Sequence, residues 1–163
     1  MLPVIPHLVI RTDGAARGNP GPASLGAALY DATRPDARDP LAAPDATISE
    51  ALGHQTNNVA EWTGVVRALD LALRLGAEVV DMYLDSNLIV EQLHGRWRVK
   101  DAKLSLLHGE AKGQLAKMRR WSATHVPRAQ NSTADRLANE ALDRVAAGGP
   151  ARVARVRRVP PST

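Results

Sequence analysis

The 163-residue sequence contains no cysteine and no phenylalanine, and aromatic residues make up only 3% of it. Without cysteine, disulfides, thiolate metal sites and cysteine nucleophiles are excluded. The core must therefore be built from Ala, Val, Leu and Ile. The longest apolar stretch is interrupted by Arg67, Asp70 and Arg74, so no segment is suited to span a bilayer. The N-terminus lacks a basic region followed by an apolar run, so we expect no signal peptide, and we expect a cytoplasmic location with no membrane partner.

Length and composition match one soluble globular domain, with 44% hydrophobic and 23% charged residues. The net charge of +4 is distributed unevenly along the chain. Residues 1–95 hold 6 basic and 12 acidic residues, whereas residues 96–120 hold 8 basic and 2 acidic ones. This split suggests a carboxylate-rich site beside a surface for a polyanion. The alternative, which charge alone favours, is that residues 101–120 form the solvated face of a helix.

Hydrophobic periodicity predicts an opening series of three strands, followed by alternating helices and strands. An antiparallel meander followed by βαβ units implies an α/β fold, with a mixed sheet flanked by helices. We predict a domain over residues 1–150 and a basic tail over 151–163, which we expect to be poorly ordered unless it docks. Ser132 or Thr133 can cap the last helix. The predicted strands are 8–10, 26–30, 46–54, 79–84 and 121–126, and the predicted helices are 59–75, 88–95, 102–120 and about 132–147.

Four acidic residues lie where solubilising charges are not expected. Asp13 and Asp85 end predicted apolar strands, and Glu61 and Asp135 lie in the first turns of predicted helices. Taken singly, each is explained by a turn or by the helix dipole. Carboxylates that converge without a basic partner repel one another unless a cation lies between them. Oxygen ligands favour Mg²⁺ or Mn²⁺, and a pair of such ions can hydrolyse phosphodiesters.

Four sequence blocks extend this pattern. They are TDGAARGNPGP (12–22), TNNVAE (56–61), LDS (84–86) and NSTADRLAN (131–139). In content and order they resemble the type 1 ribonuclease H family, and the resemblance runs from about Leu8 to Ala146. It implies a five-stranded mixed sheet with strand order 3-2-1-4-5, flanked by helices.

The resemblance also implies an endonuclease that cuts the RNA strand of RNA–DNA hybrids and leaves 5′-phosphate and 3′-hydroxyl ends. Asp13, Glu61, Asp85 and Asp135 match the family's four metal ligands, and Asp13 is expected to bridge two ions. One ion would activate the attacking water and the other would stabilise the leaving oxygen. The positions that match contacts to the hybrid's minor groove, where 2′-hydroxyls distinguish RNA from DNA, are Arg17, Gly18, Asn19, Asn57 and Asn58. We assign Ser86 to substrate contact as well.

Two departures from the family pattern bear on substrate binding. Gly95–Lys100 replaces the Trp- and Lys-rich protrusion of many bacterial members, as in the protrusion-less branch. We therefore expect binding of the hybrid to be weaker, or to rest on the arginine tail and on Arg96, Arg98 and Lys100. The loop before Asp135 lacks the mobile histidine of well-studied members, and we assign Arg128 as its substitute, a cation near the scissile phosphate or the departing product.

The sequence indicates no catalytic role for any of the five histidines. We interpret His125 as structural, and the other four, for which the sequence indicates no partner, as incidental: His7, His54, His94 and His108.

Two rival functions remain open. Integrases, Holliday-junction resolvases and some 3′ exonucleases share the expected architecture, but the Arg-Gly-Asn-Pro-Gly loop and the Thr-Asn-Asn-x-x-Glu block favour the ribonuclease branch. A non-catalytic nucleic-acid-binding module is disfavoured because all four acids are present. We expect a monomer.

Overall fold

The computed structural model of the protein describes residues 2–157, which fold around a single six-stranded sheet. Four α-helices and one 3₁₀ turn complete this part of the chain. In chain order the elements are β1 His7–Ala16, β2 Gly21–Asp31, β3 Ala46–Gln55, α1 Asn57–Arg74, β4 Val79–Leu84, α2 Asn87–Leu93, α3 Ala102–Ala116, β5 Arg120–His125, the 3₁₀ turn Arg128–Asn131, α4 Ser132–Ala146 and β6 Arg152–Val156.

The sheet has the order β5-β4-β1-β2-β3-β6. Strands β1, β2 and β3 form an antiparallel meander, and β4 and β5 add in parallel on the other side of β1. The predicted α/β fold and the order 3-2-1-4-5 are confirmed for these five strands. Asp13 therefore lies on the central strand β1, next to β4, which carries Asp85 at its end.

The sixth strand corrects the predicted strand count. Residues 152–156 of the predicted tail pair antiparallel with residues 46–50 of β3, so the docking that the prediction left open occurs in this segment. Arg152 lies 3.6 Å from Glu50, and Arg157 lies 2.9 Å from Asp45, so acidic partners reinforce the backbone pairing. The remaining tail residues, 158–163, lie outside the described part of the chain.

Alternation along the strands divides the apolar residues between two faces of the sheet. Leu8 and Ile10 of β1 join a large core with Trp62 of α1, and α2 and α3 contribute to the same core. Val9 belongs to a smaller cluster on the opposite face, which includes Leu137 of α4. The sheet is thus covered by α1, α2 and α3 on one side and by α4 on the other.

The bounds of three helices differ from the prediction, and α2 spans Asn87–Leu93 rather than 88–95. Helix α1 begins at Asn57, two residues early, because the Thr56 side chain accepts a hydrogen bond from the Val59 N–H and caps it. Helix α3 ends at Ala116 rather than at residue 120, because Arg120 already pairs with Val79 at the start of β5. Among the described residues, no helix combines the length and the apolar character needed to cross a membrane.

Candidate active site

Asp13 lies at the centre of the candidate site, and only 4% of its surface is exposed. The sequence predicts that the first strand ends at Asp13. In the structure β1 continues to Ala16, because the small residues after Asp13 still pair with β2. The next residue, Gly14, lies beneath helix α1. A Cβ atom at Gly14 would overlap the backbone nitrogen of Glu61, so only glycine allows the helix to approach this closely. This approach brings the Glu61 side chain next to Asp13.

Glu61 lies in the second turn of α1, not in the first, because the helix begins at Asn57. The other two acids lie where the sequence places them. Asp85 directly follows β4, and Asp135 lies in the first turn of α4. Asn139 lies one helical turn after Asp135 and donates a hydrogen bond to its carboxylate at 3.4 Å.

Three of the acids form a compact cluster. Asp13, Glu61 and Asp85 each present a carboxylate oxygen, and these three oxygens lie within 4.8 Å of one another. Asp135 is outside this group of three but adjoins it, since its side chain interacts with that of Asp13. The cluster lines an open cleft of about 450 Å³ together with Asn57 and Arg128.

The electrostatics of the cluster are those of a site with uncompensated negative charge. Burial, then the nearby carboxylates of Asp85 and Glu61, raises the pKa of Asp13 to about 8. Burial and Asp85 likewise raise the pKa of Glu61 to about 8, and Arg128 opposes this rise. The pKa of Asp85 is also raised, chiefly by burial. At neutral pH the folded chain therefore retains protons that a bound cation would displace.

These residues fit a divalent metal ion. Oδ1 of Asp85 is buried and has no hydrogen-bond partner, so one oxygen of the cluster lacks the donor or cation that a buried carboxylate requires. The three candidate ligand atoms are all carboxylate oxygens, which hard cations prefer. Asp13, Glu61 and Asp85 are thus an acidic triad able to bind a metal ion, with Asp135 at its edge.

The predicted groove residues meet beside this cluster. The Asn19 side chain accepts a hydrogen bond from the Asn57 N–H at 3.0 Å, which joins the loop between β1 and β2 to the start of α1. Asn19 and Asn58 line a second cleft, of about 510 Å³, which Asp101 and Lys103 of the α3 end complete. A polar surface therefore continues from the acids across the loop to α3.

Other predicted substrate residues have protein partners. Arg17 pairs with Asp143 of α4 at 2.7 Å, and both side chains are exposed. The Ser86 hydroxyl accepts from the Ile89 N–H and so caps α2. Arg96 pairs with Glu91. Their contacts with substrate stay predictions, as do those of the remaining three: Gly18, Arg98 and Lys100.

Arg98 and Lys100 belong, with Arg96, to the connection between α2 and α3. None of these three basic residues lines either cleft. If they contact substrate, they do so outside the acidic site.

Arg128 opens the 3₁₀ turn and lies close to the acids. Its Nη2 atom is 3.7 Å from Oδ1 of Asp135, and its side chain is 80% exposed. It is the cation of the acidic cleft, although its catalytic role stays a prediction. His125 ends β5 in the register position beside Leu84 and is exposed rather than packed. Its side chain lies close enough to Asp85 to lower the pKa of that carboxyl, so His125 adjoins the site.

Three histidines interpreted as incidental have partners in the structure. His7 forms a hydrogen bond with Asp81 at 2.7 Å. His94 and His108 form hydrogen bonds with the backbone carbonyls of Ala123 and Gln92. These contacts are long-range, so the sequence alone could not indicate them.

Sequence reasoning also missed two buried polar residues behind the acids. The predicted caps Ser132 and Thr133 lie inside α4, and the residue before the helix, Asn131, makes no capping hydrogen bond. The Asn131 side chain instead donates to the carbonyl of Thr12 on β1. It accepts a long hydrogen bond, 3.5 Å, from the buried guanidinium of Arg11. The available signal was Arg11 itself, a charge inside an apolar strand.

Comparison with known proteins agrees with this fold and site. A family model described as reverse transcriptase-like matches residues 11–141. The bifunctional protein Rv2228c of Mycobacterium tuberculosis is 43% identical over 139 residues, which are 85% of this chain and 36% of that protein. Ribonuclease HI of Halobacterium salinarum is 40% identical over 131 residues, 80% of this chain and 62% of the relative. The chain thus spans only about a third to three fifths of these two relatives.

A solved structure extends the agreement to the whole domain. LC11-RNase H1, solved in complex with an RNA/DNA hybrid, is 33% identical and superimposes with a TM-score of 0.76, over 85% of this chain and 99% of that one. The mixed sheet, with acids from β1, α1, β4 and α4 at one edge, defines a ribonuclease H-like protein. The chain belongs to the type 1 ribonuclease H family.

Proposed function

We propose that this chain is an endonuclease that hydrolyses the RNA strand of RNA–DNA hybrids, leaving 5′-phosphate and 3′-hydroxyl ends. The observation that carries the proposal is the convergence of Asp13, Glu61 and Asp85 within 4.8 Å in an open cleft. Family membership and the hybrid bound to LC11-RNase H1 support the choice of substrate.

The four acids, Asp13, Glu61, Asp85 and Asp135, would hold two divalent ions, Mg²⁺ or Mn²⁺. Bound there, the ions supply an activated water nucleophile and stabilise the leaving 3′ oxygen. The chain's own part is to hold the carboxylates oriented around the scissile phosphate, while a bound cation would displace the protons that they retain. Gly14 contributes by allowing α1 to lie against β1, and Arg128 contributes a positive charge facing the phosphate.

Recognition of the RNA strand is assigned to the polar surface beside the acids. Amide side chains both donate and accept hydrogen bonds, which suits the 2′-hydroxyl. The bond between Asn19 and the Asn57 N–H holds the loop against α1, so Asn19, Asn57 and Asn58 meet the groove together. All the acids come from one chain, and we propose that the protein acts as a monomer.

The decisive test is cleavage of an end-labelled RNA–DNA hybrid in Mg²⁺, in Mn²⁺ and in EDTA, beside duplex DNA and duplex RNA. We expect metal-dependent cuts within the RNA strand only. A hybrid with 2′-O-methyl ribose should resist cleavage, because the hydroxyl donor is lost and bulk is added. Cleavage of duplex DNA would favour the integrase or resolvase alternative, and tight binding without cleavage in either metal would favour the non-catalytic module.

A matched pair of variants tests the assignment of the acids. Asp13→Asn should abolish cleavage, whereas Asp70→Asn should cleave normally, because Asp70 is a half-exposed residue of α1 that pairs with Arg74. Equal activity of the two variants would contradict the proposed metal site.

A further inference from the structure

Arg11 is a buried cation without an acidic partner. It lies on β1 two residues before Asp13, on the same face of the sheet, and is only 2% exposed. Within residues 2–157, the hydrogen-bond acceptors of its guanidinium are backbone carbonyls and an amide oxygen rather than carboxylates, and its Nε atom has no hydrogen-bond partner. An arginine in such a place is costly unless its other contacts hold it. The contacts that offset the cost of burying Arg11 therefore indicate what this residue does.

Each remaining contact of Arg11 reaches a different segment. Nη1 donates to the carbonyl of Gln130 at 3.1 Å, and to Oδ1 of Asn131 at 3.5 Å. Nη2 donates to the carbonyl of Arg38, in the connection between β2 and β3, at 3.1 Å. The guanidinium also lies over the Tyr83 ring of β4, 4.7 Å from its centre. One planar fork therefore ties the 3₁₀ turn to two other parts of the fold.

Asn131 carries this connection to the backbone beneath the acids. Its Nδ2 donates to the carbonyl of Thr12 at 3.1 Å and to that of Tyr83 at 3.3 Å. Thr12 directly precedes Asp13, and Tyr83 is two residues before Asp85. Since Asn131 also directly precedes α4, the start of that helix is bonded to both strands that carry the central acids.

We propose that Arg11 is a positioning residue, which fixes the 3₁₀ turn and the start of α4, and hence Arg128 and Asp135, relative to Asp13 and Asp85. A lysine cannot replace it, because an ammonium group carries its donors on one nitrogen and cannot reproduce the two separated nitrogens of the planar guanidinium. Metal sites depend on such outer contacts to orient their ligands. The catalytic consequence rests on the proposed function, whereas the structural consequence does not.

The test compares Arg11→Lys, Arg11→Met and Asn131→Ala with the control Arg38→Gln. The control removes the ion pair of the exposed Arg38 side chain with Asp81 but keeps the carbonyl that Arg11 uses. Three quantities are measured: hydrogen exchange of the metal-free proteins, calorimetric binding of Mn²⁺, and kcat and KM on the hybrid.

We expect hydrogen exchange to accelerate by at least about tenfold in residues 127–136 of the three test variants, with the strands still protected. Mn²⁺ affinity should fall by roughly 10- to 100-fold, and kcat should fall more than KM rises. The control should match the parent protein. If Arg11→Met does not fold, the lysine variant, which keeps the charge, and Asn131→Ala, which keeps Arg11, decide the question.

Parental exchange in residues 127–136 together with parental Mn²⁺ affinity would overturn the proposal. So would a uniform loss of protection across the sheet, because it would show a general contribution to stability. Failure of the parent protein to cleave any hybrid would refute the proposed function instead, while the exchange and metal-binding results would still decide the role of Arg11.

Discussion

Replacing Asp13 by Asn should change the pH dependence of stability as well as abolish cleavage. Folding raises the pKa of Asp13 from 3.8 to about 8, chiefly through burial and then through Asp85 and Glu61. Between these two values the metal-free folded chain binds a proton that the unfolded chain has released. Its stability is therefore fully present below about pH 4 and falls as the pH rises towards 8. Asn carries no charge, so the variant loses this contribution to the slope.

The magnitude follows from the proton count. One proton bound only in the folded state changes the unfolding free energy by about 1.4 kcal/mol per pH unit. Together Asp13 and Glu61 bind between one and two such protons. The unfolding free energy of the metal-free parent should therefore fall by about 3 to 5 kcal/mol between pH 5 and pH 7. Asp13→Asn should lose about 3 kcal/mol less over this range, equivalent to about 5 to 10 °C in Tm.

The assay is denaturant unfolding at pH 5, 6, 7 and 8 in EDTA, for the parent, Asp13→Asn and the control Asp70→Asn. Asp70 is half-exposed and distant from the cluster, so its variant should follow the parent. Parallel stability curves for the parent and Asp13→Asn would refute the argument that buried, uncompensated carboxylates shape this site. Retention of normal cleavage by Asp13→Asn in Mg²⁺ would refute its role as a metal ligand.

Four further perturbations test separate parts of the molecule. Arg128→Ala should reduce kcat roughly tenfold. The reduction should be larger at pH 6 than at pH 8, because Arg128 lowers the pKa of Glu61 and Asp85. The same ratio of parent to variant kcat at both pH values would contradict this. Asp143→Asn should release Arg17 and lower the KM for hybrid at low salt by about 1.5- to 5-fold, an effect that high salt should remove. Gly14→Ala should destabilise the fold by about 1 to 3 kcal/mol in denaturant unfolding and inactivate it, whereas Gly109→Ala, where a Cβ meets nothing within 4 Å, should not. Deleting residues 151–163 should cost roughly 1 to 3 kcal/mol of stability through lost pairing with β3; unchanged thermal unfolding would show that the strand contributes nothing.

The sequence predicts elements well where the signal is local. The run Val79–Leu84 is short, mostly apolar and bounded by turn residues, and it forms β4 as predicted. Helix α4 begins at Ser132, as predicted, so Asp135 lies in its first turn. The site acids were identified for the same reason, since each belongs to a short block of recognisable residues.

The elements that differ depend on partners distant in the chain. Strand β1 continues past Asp13 through small residues that carry no hydrophobic signal, and only the pairing of Gly14–Ala16 with β2 makes them a strand. Glu61 lies in the second helical turn rather than the predicted first, because the Thr56 side chain caps α1 and the helix begins at Asn57. The Arg11–Asn131 contact joins residues 120 positions apart, so no local pattern contains it.

The basic tail shows how such distant contacts change a functional argument. From composition, its arginines are equally suited to bind phosphate or to remain solvated. In the fold, Arg152 pairs with Glu50 of β3, and Arg157 pairs with Asp45, which directly precedes β3. Arg144 of α4 donates to the carbonyls of Pro150 and Ala151. Arginines already paired with carboxylates release few counterions when a polyanion binds. The salt dependence of hybrid binding should therefore arise mainly from the basic segment 96–120, and deletion of the tail should affect stability more than the salt slope.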